Sequence, residues 1–143
     1  DYTFTGPGGA QVGPFTTTIK IPALLNWTNK GAINQVRIGQ SQEVTWTGGD
    51  ATTPYVSIFG GSTNTQGKVT AAFFCGPPAS AGRITIPGEV TGSMPVSTTQ
   101  EGVPGGFLNV GLNCDPKRFT ANGLDIGMVT CNMQEQKSVG FVQ

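Results

Sequence analysis

Apolar and polar residues alternate along this chain in short runs, and Gly, Pro or Asn clusters punctuate the runs every few residues. Phe15-Thr16-Thr17-Thr18-Ile19-Lys20-Ile21 is β-branched and alternating, and Pro22 closes it. Further strand signals cover Ile33 to Ile38, Glu43 to Thr47 and Tyr55 to Phe59, the last ending at Gly60-Gly61. Lys68 to Cys75 reads as a longer strand, stopped by Gly76-Pro77-Pro78, and Arg83 to Pro87 as a short one. Phe107-Leu108-Asn109-Val110-Gly111-Leu112 alternates cleanly, and Arg118 to Ala121, Ile126 to Cys131 and Ser138 to Val142 complete the set. No segment keeps an apolar 3.6-residue period over three turns, so the period-2 pattern decides the class. The expected fold is all-β: an Ig-like antiparallel sandwich of about eight to eleven short strands with Greek-key-type connections.

The chain divides unevenly. Residues 1–14 read as a Gly/Pro-rich arm around the apolar pair Tyr2 and Phe4, and residues 15–143 as one sandwich domain. Two readings stand for the arm: an edge strand plus loop, or a linker whose Tyr2-Thr3-Phe4 strand adds to a neighbouring subunit. Thr99 to Gly106 is expected as a long surface loop.

Composition sharpens this picture. Only 16 of 143 residues are charged, eight of each sign, with 22 Gly, 19 Thr and no His. An average soluble domain is about one-quarter charged. The surface must therefore be built from Thr, Ser, Asn, Gln and Gly. Zero net charge removes the usual electrostatic barrier between copies. The basic residues are dispersed, which argues against nucleic acid, since phosphate binding needs clustered Lys and Arg. No apolar run is long enough to span a bilayer. The opening Asp1-Tyr2-Thr3-Phe4 has no leader features, so the expectation is a processed, exported chain or a fragment of a longer one.

Three cysteines, Cys75, Cys114 and Cys131, fit an oxidising compartment. Asn122-Gly123 is a two-residue hairpin signal, and folding the chain about it sets Cys114 opposite Cys131, within disulfide reach. Pro116 stands between the hairpin and Cys114 as a potential ladder break. Cys75 is then left over, either as a core thiol or as a link to another chain.

The search for chemistry excludes more than it finds. Without His there is no Ser-His-Asp or Cys-His nucleophile and no imidazole zinc site. The eight acids are dispersed, mostly in turns, with no EF-hand loop and no paired-carboxylate signature. Asp50, beside Gly49, and Asp125, two residues from Gly123 and Gly127, read as turn residues. No cofactor is implied. Asn26-Trp27-Thr28 matches a glycosylation acceptor. Exposed aromatics stack sugar rings, and Trp27 and Tyr55 are the candidates. Trp46, alternating with Val44, reads as core.

Several segments in order resemble a group of secreted Ig-like proteins of environmental bacteria. They are Gly8-Gly9-Ala10, Val12-Gly13, Phe15, Trp27-Thr28-Asn29, Val44 to Gly49, Cys75, Pro78-Ala79-Ser80-Ala81-Gly82, Ile86-Pro87, Phe119-Thr120 and Gly123-Leu124-Asp125-Ile126-Gly127. The resemblance implies an exported β-sandwich and carries no activity. Cys114, Cys131 and the final strand depart from it. The functional expectation is a non-enzymatic extracellular structural subunit, self-associating at the cell surface through strand addition in a fibre or pilus-like filament. Its partners would be copies of itself. The alternative is an adhesion module that binds polysaccharide or a host surface.

Overall fold

The computed structural model describes residues 1–49 and 55–143. Strands β1 (Tyr2–Gly6), β2 (Phe15–Ile19), β3 (Leu25–Trp27), β4 (Gln35–Arg37) and β5 (Gln42–Gly48) come first. Next are β6 (Val56–Asn64), β7 (Val69–Cys75), β8 (Arg83–Ile86), β9 (Thr99–Gln100) and β10 (Val103–Pro104). The chain ends with β11 (Gly106–Asn113), β12 (Lys117–Phe119), β13 (Gly127–Val129) and β14 (Asn132–Val142). A single five-residue helix, α1 (Gly88–Gly92), is the only α-helix among the described residues. No described helix is long and apolar enough to cross a membrane.

The fold is an all-β sandwich. One layer is the five-stranded sheet β4-β14-β11-β6-β7 and the other the three-stranded sheet β3-β5-β8. Val56, Ile58, Leu108, Val110, Leu112, Val139 and Phe141 from the first layer meet Trp27, Val44, Trp46 and Ile86 from the second in one buried cluster. Period-2 alternation makes this possible, because every second residue of a strand points inward. Among the described residues all pairings are antiparallel except β4 with β14, which run parallel with Val36 beside Phe141. The strand count exceeds the expectation because the three-residue β3 and the short local hairpin β9–β10 add to the expected strands. The expected loop at Thr99–Gly106 contains the first of these. Glu101 (φ 50°) and Gly102 (φ 81°) turn it with positive φ at both central positions, a type I′ turn.

Gly60-Gly61 does not end β6, as the sequence suggested; the strand runs on to Asn64. Each glycine faces a phenylalanine on the adjoining strand: Gly60 opposite Phe73 and Gly61 opposite Phe107. A methyl group at Gly61 would lie 2.6 Å from the Phe107 ring, so the missing side chain is the seat for the ring. The same arrangement recurs at Gly6 with Phe15 and Gly127 with Phe119. Glycine alone weakens a strand, and an aromatic laid across it restores the lost contact.

Trp46 is held by the Pro78–Gly82 segment. Its indole N–H donates to the Ala79 carbonyl at 2.9 Å, and its backbone N–H donates to Gly82 at 2.9 Å. The segment singled out in the sequence is thus a socket for the core tryptophan.

Two hairpins stand beside the sandwich: β1–β2 and β12–β13. Phe15 and Phe119 stack between them with centroids 4.5 Å apart. Gly13 N–H donates to the Asn122 carbonyl at 2.7 Å. The arm expected over residues 1–14 is therefore half of a hairpin that crosses position 14/15, and the Asn122-Gly123 turn holds its loop. Asp50 falls outside the described residues.

Candidate functional site

Cys114 and Cys131 form the expected disulfide, but the hairpin about Asn122-Gly123 is not what aligns them. They continue the β11–β14 register, directly after Asn113 opposite Asn132, and the Cys114 N–H donates to the Cys131 carbonyl at 3.0 Å. The β12–β13 ladder beyond is one residue out of step with it. Asp115-Pro116 faces the single residue Thr130, so Pro116 does break the ladder. The Asn122-Gly123 dipeptide still turns the chain, with Leu124 N–H donating to Ala121 at 3.1 Å, but only Gly123 has positive φ (82°). The connection is longer than the two-residue hairpin the dipeptide suggested. Cys75 remains a free thiol, half-buried on the edge strand β7, and burial pushes its pKa up.

Trp27 is not a sugar platform. It is 3% exposed, faces Trp46 across β3–β5, and its indole N–H donates to Asn29 Oδ1 at 2.9 Å. Its residue type suited a stacking role, but the inward register of β3 placed it in the core. Tyr55 is 60% exposed and bridges to Pro78 at the start of β6. The two candidates are thus not brought together.

Tyr55 instead flanks a groove of about 590 Å³ whose other walls include Phe74, Ser57, Asn113, Asp115 and Thr130. Cys114 of the disulfide lines it too. The groove opens at one end of the outer face of the five-stranded sheet. Across that face one row runs from Phe74 on β7 to Phe59 on β6, Asn109 on β11 and Gln136 on β14. Phe74 is 67% exposed and Phe59 40%. The Phe59 and Phe107 rings lie 5.4 Å apart and tilted. Asn109 Oδ1 is buried and is the sole buried side-chain polar atom without a hydrogen-bond partner among the described residues. No outward side chain of β7, β6, β11 or β14 is charged. Glu135 and Lys137 sit on the opposite side of β14. There Glu135 accepts from Lys30 Nζ at 2.9 Å, and Lys137 Nζ donates to the Lys30 carbonyl at 2.6 Å.

The sequence contained part of this face. The alternation of Phe107 to Leu112 already put Phe107, Asn109 and Gly111 on one side. Nothing local joins Phe59 to Phe74: Gly60-Gly61 reads as a strand end, and the register of β6 on β7 is set by tertiary packing.

A second recess of about 890 Å³ is lined by Thr63, Thr65, Thr98, Gln100 and Glu101. Its central hydroxyl is already committed: Thr98 Oγ1 donates to the Thr63 carbonyl and accepts from the Thr65 N–H and hydroxyl. No group of three or more metal-ligating side chains occurs among the described residues.

The predicted contact strand Tyr2-Thr3-Phe4 pairs within the chain, with Ile19, Thr18 and Thr17. Its other edge is unpaired in the described sheets. Ile19 and Thr17 are buried, whereas Tyr2 and Phe4, on the same face beside them, are half-exposed or more. Thr3 and Thr18 share a hydroxyl hydrogen bond of 3.0 Å on the reverse face.

No protein-family model, no curated protein and no solved structure matches the chain.

Proposed function

We propose that the chain is a non-enzymatic structural module of the cell surface or extracellular space that self-associates through β1, as the repeating unit of a fibre or pilus-like filament. One observation carries the reading. Strand β1 has a free hydrogen-bonding edge, and Tyr2 and Phe4 continue a face whose inner part, Ile19 and Thr17, is buried. An uncovered continuation of a buried face is a surface waiting for a partner. The near-neutral coat, with eight charges of each sign over 143 residues, leaves little repulsion to oppose docking. Joining β1 to a different edge of the next copy would be a head-to-tail contact, which does not close and so generates filaments. The disulfide suits an oxidising compartment and hence export.

The test is the concentration dependence of mass, by light scattering and sedimentation, for the full chain and for Tyr2→Lys/Phe4→Lys. Both positions are exposed, so the variant keeps the fold while adding repulsion at the edge. The expected result is growth of the parent chain with concentration and a monomeric variant. A parent chain that stays monomeric at millimolar concentration, or a variant that assembles equally well, overturns the proposal.

A further inference from the structure

We infer that the outer face of the five-stranded sheet, with the groove at its Tyr55 end, binds a neutral polysaccharide chain. The inference rests on different residues from the β1 contact and stands or falls separately. Its first support is the pairing of residue types. A pyranose ring has an apolar C–H face and a rim of hydroxyls, each both donor and acceptor. Aromatic side chains match the first, and carboxamides, which carry a donor and an acceptor each, match the second. On this face Tyr55, Phe74 and Phe59 are exposed aromatics, and Asn109, Gln136 and Asn113, whose Oδ1 accepts from Asn132 Nδ2 at 2.7 Å, stand beside them or in the same cross-strand row.

The second support is what the fold leaves undone. Leaving a large aromatic partly in water forgoes the gain from burying it. This sheet does so at Phe74 and again at Phe59, on adjacent strands facing each other. Beside them stands Asn109, a half-buried carboxamide whose Oδ1 is buried without a donor.

Charge then narrows the ligand. Strands β7, β6, β11 and β14 present no ion outward, although β14 carries Glu135 and Lys137 on its other side; the outward cation of the sheet is Arg37 on β4, the edge farthest from the groove. A uronic or sulfated chain would find no cation on those strands. It would also meet Asp115, the one carboxylate among the described residues lining the groove. A neutral glycan meets no such penalty, and Asp115 can accept from its hydroxyls. The paired carboxylates that most glycoside hydrolases use are not found among the described lining residues, which hold Asp115 alone.

The test uses the intact protein with hydroxyethyl cellulose, xyloglucan and laminarin as neutral probes and polygalacturonate as the charged one. Retardation in affinity gels and titration calorimetry are the readouts. The expected result is binding to at least one neutral chain, weakened about tenfold by Phe74→Ala and by Tyr55→Ala. Both side chains are mostly exposed, so neither variant is expected to unfold, and circular dichroism checks this. Tyr2→Lys/Phe4→Lys should bind as the parent does. The proposal is overturned by absence of binding to all three neutral chains, by preference for polygalacturonate, or by binding that both aromatic variants retain. Loss of self-association in Phe74→Ala without any glycan binding also overturns it, and assigns the face to a contact between copies.

Discussion

Phe73 lies across the backbone of Gly60, its partner on the neighbouring strand, so closely that no side chain fits beneath the ring. The relation is repeated by Phe107 on Gly61, Phe15 on Gly6 and Phe119 on Gly127, in four separate strand pairs. It accounts for how so glycine-rich a chain keeps continuous strands. Each ring covers backbone that glycine would otherwise leave open, and each glycine lets the ring lie flat on the sheet.

It follows that alanine at these glycines destabilises, the reverse of its usual effect. A methyl group at Gly60 meets the Phe73 ring and comes within 2.9 Å of Leu108 Cδ2. Overpacking of that kind costs about 1–3 kcal/mol. Gly31→Ala, where added carbon meets nothing, should be neutral or slightly stabilising. Urea unfolding separates the two: the Gly60→Ala midpoint drops with an unchanged slope, whereas Gly31→Ala holds its midpoint. Equal midpoints would show that the rings move aside freely.

This pairing marks the limit of what the sequence discloses. Alternation alone identified the sandwich and most strand positions, because side-chain direction follows from period 2 in any strand. Gly60-Gly61 misled because glycine's turn preference is local, while the ring that makes it a strand residue lies more than ten positions away at Phe73, or further at Phe107. Strand β3 was missed for a similar reason. Its three residues carry no pattern of their own and are fixed by Trp27 facing Trp46. Of the candidate site, Tyr55 and the Phe107–Asn109 alternation were legible. The row joining Phe74, Phe59 and Asn109 was not, since register between distant strands is set by tertiary packing.

The disulfide is expected to act on the satellite hairpins more than on the sandwich core. Cys114 and Cys131, 17 positions apart, close the neck from which β12–β13 extends. Closing a loop of that length contributes about 3 kcal/mol in the chain-entropy account. Replacing both cysteines by alanine should lower global stability by that order. Hydrogen exchange should rise in residues 115–130 before it rises in β6 or β11. Uniform acceleration throughout would mean that the bond supports the core directly.

Gly123 couples the two hairpins. Its φ of 82° suits glycine, and a side chain there would run into the Gln11 carbonyl oxygen. Gly123→Ala should therefore break the Gly13–Asn122 hydrogen bond and detach the loop between β1 and β2, at about 1–3 kcal/mol. Limited proteolysis is the direct check, with cleavage expected between residues 7 and 14 in the variant and slower cleavage in the parent. The Phe15–Phe119 stack predicts that β2 stays docked, so a variant protected like the parent would place the coupling in the stack alone.

The pH dependence of stability should carry the signature of Glu135. Its carboxylate accepts from Lys30 Nζ at 2.9 Å and from the Trp27 N–H at 3.2 Å, and these two bonds hold its pKa below the usual carboxylate value. A depressed folded-state pKa stabilises the protein above the unfolded-state pKa of about 4.3. That contribution is lost as pH falls through the lower folded value. Both side chains are about one-third exposed (35% and 36%), so solvent screening keeps the ion pair below about 1 kcal/mol. Glu135→Gln should thus be slightly less stable than the parent at neutral pH. The difference should shrink with added salt and close as the parent's carboxylate is protonated in acid. Urea titrations from neutral pH down through the carboxylate range measure this. A gap that stays constant over that range would assign the loss to the Trp27 hydrogen bond and local packing, and would remove the Lys30 ion pair from the account of how β3 is tied to β14.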